Sequence, residues 1–159
     1  MKKISLVVFS VILACVMLVS CGKNTTLDTD AARTAVEELG LYPASMVAVS
    51  DGELAAMGLK KDNIEKYVIG LPLMNVQASL YIAVLPKEGF EADVKNELES
   101  YMTSYENTWS QYLPDQYELV ENRLVTEIKT GEGTYYVYII SENNERVLEA
   151  LNSAVTEAK

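Results

Sequence analysis

The stretch from Ile4 to Val19 is apolar except at Ser5 and Ser10, and it follows the short basic start Met1-Lys2-Lys3. Wound as a helix, such a stretch reaches ~24 Å, short of the ~30 Å hydrocarbon core of a bilayer. A basic start followed by an apolar run of this length reads as an export signal; a membrane-spanning anchor is the alternative, since spans near ~17 residues occur. Residues 1–20 then leave the chain, and the fold has to be built from the 139 residues that remain of 159. A domain of that size buries roughly 68–70% of the surface its unfolded chain exposes, so it needs neither a disulfide nor a structural metal.

Leu18-Val19-Ser20-Cys21 closes the apolar run. The tetrapeptide resembles the lipobox of bacterial lipoproteins: an aliphatic residue, a tolerant position, a small residue that lets a peptidase reach the scissile bond, and a cysteine. A thiolate is the strongest side-chain nucleophile for taking a diacylglyceryl group. The resemblance implies cleavage before Cys21, acyl chains such as palmitate on the new first residue, and attachment to the extracytoplasmic face of the cell membrane. Two acyl chains hold a protein stably where one binds reversibly, at ~0.8 kcal/mol per buried methylene. Residues 21–29 are then the lipidated cysteine and a polar tether, and residues 30–159 a single domain. Cys15 leaves with the signal, so no cysteine pair remains for a disulfide.

Losing Lys2 and Lys3 takes the formal net charge from −10 to −12, because residues 1–20 hold no other charged side chain. A surface of that sign repels phosphate backbones and anionic headgroups, so nucleic acid is not an expected partner. The chain has no histidine. Ser-His-Asp and Cys-His catalysis therefore lack their parts. The sole Ser-x-x-Lys, Ser20 to Lys23, straddles the cleavage point and does not survive maturation. Zinc lacks its favoured ligand types, and no run of carboxylates has the spacing of a calcium loop. The expectation is a protein that is not an enzyme and carries no cofactor or metal.

Local patterns place the elements. Asp30 to Leu39 carries Ala32, Ala35, Val36 and Leu39 on one face, with Gly40 as a stop, which predicts a helix. Ser50-Asp51-Gly52-Glu53 has capping-box spacing and opens a short second helix. Asp62 to Lys66 predicts a further helical turn. Tyr67 to Leu71 and Val76 to Leu85 read as strands. In the second, Val76, Ala78, Leu80, Ile82 and Val84 alternate with Gln77, Ser79, Tyr81, Ala83 and Leu85, which predicts one buried and one partly wet face. The clearest period follows: Phe90, Val94, Leu98, Tyr101, Tyr105, Trp109 and Tyr112 recur three or four apart, making a long helix that Pro114-Asp115 ends. A hairpin of Tyr117–Ile128 and Thr134–Ile140 comes next, and Ser141 is the expected N-cap of a last helix. This order predicts an α+β domain, a mostly antiparallel sheet of three or four strands with its helices on one face.

With that order laid out, the domain resembles a family of small lipoproteins of unknown function common in clostridia and related Gram-positive gut anaerobes. The resemblance rests on Met46-Val47-Ala48-Val49-Ser50, on Met74-Asn75-Val76-Gln77-Ala78-Ser79, on Tyr112-Leu113-Pro114-Asp115-Gln116-Tyr117, and on Tyr135 to Ser141. It implies fold and location and no activity. Members often carry a glutamate inside the main strand, where this chain has Leu80-Tyr81.

Ten tyrosines stand against two phenylalanines, so ring surface with a hydroxyl handle is the unusual resource of the chain. The tyrosines of the long-helix stripe read as core or core edge. Tyr136 and Tyr138 alternate with Val137 and Ile139; if the aliphatic pair faces the helices, the tyrosines face outward. Tyr81, Glu121, Arg123 and Glu127 are expected on that same outer face. Rigid rings around one arginine and two carboxylates would suit a partner surface, while an ordinary solvated sheet face explains the same pattern. The functional expectation is a non-enzymatic interaction module at the cell envelope, contacting an envelope protein or wall component. The alternative is a small-molecule-binding lipoprotein serving uptake or sensing.

Overall fold

The computed structural model describes residues 24–42, 46–73 and 76–158; the expected signal peptide and cleavage motif, with Leu18, Val19, Ser20 and Cys21, lie outside them. In chain order the elements are β1 (Thr25–Leu27), α1 (Thr29–Glu38), β2 (Met46–Ala48), α2 (Asp51–Ala56), a 3-10 turn (Lys61–Asn63), β3 (Ile64–Pro72), β4 (Leu80–Pro86), α3 (Glu91–Trp109), α4 (Pro114–Glu121), β5 (Leu124–Thr130), β6 (Gly133–Ile140), α5 (Asn144–Ser153) and β7 (Val155–Glu157). Five strands form one antiparallel sheet in the order β2-β3-β4-β6-β5, and β1 pairs with β7 in a separate ribbon. The α+β class and the antiparallel pairing match the sequence expectation; the sheet is wider than the three or four strands expected.

Helix starts follow local chemistry. The Asp28 carboxylate accepts from the backbone N–H of Asp30 at 3.1 Å and of Ala31 at 3.0 Å, which starts α1. At α2 the Glu53 carboxylate accepts from the Ser50 N–H at 2.7 Å and its hydroxyl at 2.8 Å, closing the capping box. Glu91 and Asp93 occupy the first turn of α3, where the helix dipole favours negative charge. At α5 the cap is Asn143, which accepts from the Arg146 N–H at 3.2 Å. Ser141 instead donates its hydroxyl to Asn144 Oδ1 at 3.0 Å.

Four expectations are corrected. The helices cover both faces of the sheet. Leu80, Ile82 and Val84 of β4 enter a core closed by α2, α3 and α4, while Tyr81, Ala83 and Leu85 enter a second core closed by α1 and α5. From Leu80 to Pro86 no polar side chain appears at either parity, and a run of that kind belongs to a strand buried on both sides. The Tyr81 ring finds room because it lies over Gly70, where a Cβ would sit 2.2 Å from Tyr81 Cε1. Tyr117–Glu121, expected to open a strand, belong instead to α4: Pro114 stands at the first helical position, and Gln116 and Tyr117 both donate their N–H to the Leu113 carbonyl. Asp62–Lys66 is a turn only to Asn63, with Ile64 to Lys66 already in β3. Lastly, Thr25–Leu27 is a strand and Thr29 is helical, so the stretch expected to be tether joins the fold from β1 onward.

The topology gives the domain two distinct ends. β3 finishes, β4 and β5 begin, and β6 finishes at one end, here the distal end. The β5–β6 turn at Gly131-Glu132 lies at the other, roughly 20 Å away along β4 at ~3.3 Å per residue. The chain enters at this proximal end: Gly131 donates its N–H to the Thr25 carbonyl at 2.8 Å. Glu132 clasps β1 there, accepting from Thr26 Oγ1 at 2.6 Å, Tyr135 OH at 2.7 Å, the Leu27 N–H at 3.2 Å and Lys66 Nζ at 2.5 Å.

Burial pulls the Glu132 carboxyl upward, but Lys66, Thr26, Tyr135 and the Leu27 N–H outweigh it and hold the group below its ordinary value of 4.5. A carboxylate depressed in the native state stabilises the fold above its unfolded pKa, and that stability is lost as pH falls through the native pKa. Glu132→Gln should lower stability near neutral pH by about 1 kcal/mol, discounted for partial exposure. Melting followed by circular dichroism from neutral pH downward should show the wild type converging on the variant as the medium passes below the ordinary glutamate range. A constant gap across that range would refute the clasp.

Candidate functional site

The residues expected to share one outer sheet face are separated by the fold. Cross-strand partners share a face, and β4 pairs with β6 as Tyr81↔Ile139 and Ile82↔Tyr138. Tyr81 therefore lies with Val137 and Ile139 in the second core, fully buried, its ring 5.4 Å from Tyr42. Burial pushes its hydroxyl up to about 12. Tyr136 and Tyr138 point to the opposite face, where Tyr138 is only 5% exposed and Tyr136 half-buried. The expectation of an outward face failed because both faces carry helices. Glu121 is exposed on α4. Arg123 bridges α3 and α4, its NH2 paired with Glu106 at 2.8 Å and its NH1 donating to the Val120 carbonyl at 3.0 Å.

Glu127, Tyr136 and Tyr138 stay together, with Glu127 opposite Tyr136 across β5 and β6 and Arg123 close enough to act on the Tyr138 hydroxyl. With Lys95, exposed Val125 and Lys129, the first three line a shallow depression of about 490 Å3. Glu127 and Lys129 alternate along an edge strand, the arrangement that discourages unwanted strand addition.

The distal end holds a different site. The nineteen residues of α3 reach ~28 Å at ~1.5 Å each, more than the seven-residue β4 it crosses. Its last turns therefore pass the end of the sheet, beside the segment between β3 and β4. A half-open groove of about 600 Å3 lies between them. Tyr101, Tyr105, Thr108, Trp109 and Tyr112 form one wall, and Leu71, Pro72 and Gln77 the other. Successive rings from Tyr101 through Tyr105 and Trp109 to Tyr112 stand 5.8, 6.0 and 5.9 Å apart, tilted by 37°, 54° and 58°.

The walls are held by hydrogen bonds. Tyr105 OH donates to the Ala78 carbonyl at 3.0 Å, and the Ala78 N–H donates to Gln116 Oε1 at 2.8 Å. Trp109 is 5% exposed and anchors the ladder, while Tyr112 is 57% exposed at its tip. Burial pushes the Tyr101 hydroxyl up to about 12 and raises that of Tyr105 further, so both remain protonated donors. Gln77 Oε1 is buried without a hydrogen-bond donor among the described residues. Among the described residues no charged side chain lines the groove. Leu73, 66% exposed, and Val76, 45% exposed, directly follow Pro72 and precede Gln77 in the chain. Three of the five large hydrophobic side chains that stand exposed among the described residues, Leu73, Val76 and Tyr112, thus belong to this end of the domain.

Leu71, Pro72 and Gln77 escaped sequence reasoning, and the tyrosine stripe of α3 read there as core. Two signals pointed further: the stripe uses tyrosine where a buried seam would use leucine or phenylalanine, and it continues to Tyr112, past the end of the helix. Replacing Tyr112 with Ser should change unfolding stability by no more than about 0.5 kcal/mol, since the ring is exposed. Tyr138→Ser should cost about 3 kcal/mol, as large-to-small core changes do. Urea unfolding of both variants checks the assignment, and equal losses would contradict it.

A family model described as a domain of unknown function, DUF4358, matches residues 41–141. The matched span takes in all five strands of the sheet, α2 to α4 and every residue lining the groove. No curated protein and no solved structure matches the chain.

Proposed function

This chain belongs to the DUF4358 family, and from that premise we propose that it is a non-enzymatic binding module. In this reading lipid on Cys21 holds it at the extracytoplasmic face of the cell membrane, and the distal groove receives an envelope protein or wall component. The observation that carries the reading is the gathering of exposed Leu73, Val76 and Tyr112 around an aromatic groove. That groove stands at the end of the sheet farthest from where the chain enters. An anchored domain has its proximal end at the membrane, which leaves the distal end free to meet something else.

The volume of the groove favours a second reading, a small-molecule-binding lipoprotein for uptake or sensing, because about 600 Å3 falls in the ~300–1,000 Å3 range of ligand sites. Against it, the apolar rim at Leu73 and Val76 extends beyond the cavity walls, which suits a larger occupant.

Both parts of the proposal can be tested in cells. Cys21→Ala should abolish fatty-acyl labelling and either release the protein from membranes or leave it uncleaved; a labelled, membrane-retained variant sinks the anchor. A photo-crosslinking residue at position 112 should capture a macromolecule that the same residue at position 125 does not. Equal adducts at both positions, or none at 112, would remove the groove as the binding seat.

A further inference from the structure

Resting on the reading of the groove as the binding seat, we propose that its occupant is an extended peptide segment of a partner protein, with an uncharged apolar or proline-containing core flanked by Lys or Arg. Three observations point to this chemistry.

The first is length. A second cavity of about 590 Å3 adjoins the groove, sharing Tyr101, Tyr105 and Thr108 and continuing along α3 past Ser104 and Ser100 to Glu97 and Asn96. From Asn96 to Trp109 the helix runs ~20 Å, the span of about six extended residues at ~3.3 Å each. A compact small molecule fills one cavity; a chain fills both.

The second is the shortage of polar partners. A sugar ring brings several hydroxyls, and each one buried without a partner weakens binding. Among the described residues no charged side chain lines the groove, and the adjoining cavity has only Glu97, paired with Lys60 at 3.2 Å. Tyr105 OH is already committed to Ala78, and Thr108 Oγ1 donates to the Ser104 carbonyl at 2.9 Å. Gln77, the Tyr101 and Tyr112 hydroxyls and, in the second cavity, the Asn96 amide are left, enough for a few backbone groups of a peptide. The tilt between successive rings also makes ridges and notches rather than a flat stacking platform. Notches between aromatic rings are the shape that receives proline or aliphatic side chains.

The third is charge. From Tyr101 to Asn122 the chain carries Glu106, Asp115, Glu118 and Glu121 and no Lys or Arg, and from Tyr67 to Pro86 it carries no charge at all. Arg123 engages Glu106; among the described residues no Lys or Arg pairs with Asp115, Glu118 or Glu121 of α4, the helix whose Gln116 holds the groove wall at Ala78. This field repels acidic polymers and attracts basic flanks.

The sole tryptophan of the chain, Trp109, lies in the groove and reports its occupancy. A display library of random twelve-residue peptides would be selected on the mature lipidated chain in nanodiscs and counter-selected on Tyr112→Ser. Enriched sequences should share an apolar or proline core with basic flanks. The synthetic peptide should shift Trp109 emission, and Tyr112→Ser should weaken its binding at least tenfold. Enrichment of acidic or core-less sequences, or equal binding to Tyr112→Ser, overturns the proposal. A chitin oligosaccharide that shifts Trp109 emission and loses its effect in Tyr112→Ser, with the peptides silent, overturns the peptide class while the groove keeps its role. Failure of crosslinking at position 112 removes the groove itself, so the two readings fail separately.

Discussion

The structure depends on β4 being apolar on both sides. A strand that buries Leu80, Ile82 and Val84 one way and Tyr81, Ala83 and Leu85 the other cannot leave either sheet face to water. Both faces must be roofed, which recruits α2, α3 and α4 on one side and α1 and α5 on the other. Close approach has its own requirement: the Tyr81 ring occupies the space where any side chain at residue 70 would stand. Once both faces are spent on stability, a binding surface has only the edges and ends of the sheet to use. One edge, β5, carries alternating charge, and the distal end carries the aromatic groove.

What could be read from residue patterns was local. The α1 stripe, the Ser50/Glu53 box, the long helix and the second strand of the β5–β6 hairpin all have signals carried by neighbouring residues of one segment, and all appear close to where those signals put them. What could not be read depends on distant partners. β1 is three residues long, and its strand partner, β7, lies at the other end of the chain. Thr25 and Thr26 look like polar linker until that partner is known. The second roof was missed because Tyr81 was counted as a wet residue, whereas a tyrosine over a glycine is an ordinary core residue. The Tyr117–Arg123 region alternates well enough to pass for a strand, but Pro114 fixes helical φ at its start and Leu113, Tyr117 and Val120 then fall three or four apart.

The candidate site was half legible for the same reason. Its helical wall, Tyr101 to Tyr112, was visible as a stripe, and the excess of tyrosine hinted that the stripe met water. Its other wall comes from the end of β3, Leu71 and Pro72, and from Gln77 ahead of β4, and nothing local says that a helix will overhang it. The overhang is a matter of unequal lengths: α3 is longer than the strand it crosses. Conversely, Glu121, Arg123 and Tyr81 were grouped by alternation alone, and alternation loses its meaning once a helix interrupts it or helices cover both faces.

The two ends of the domain also divide its work. At the proximal end, Glu132 gathers Thr26, Leu27, Lys66 and Tyr135, so the first strand is tied into the sheet. Because β1 begins at Thr25, only residues 22–24 separate it from the cysteine proposed to carry lipid, a link of ~10 Å when extended. In the proposed anchored state a link that short would restrain the domain, and the clasp would pass that restraint to the sheet. The distal groove would then lie on the side of the domain opposite the anchor, the ~20 Å length of β4 from the proximal end, where an exposed apolar rim would meet less lipid than at the proximal end.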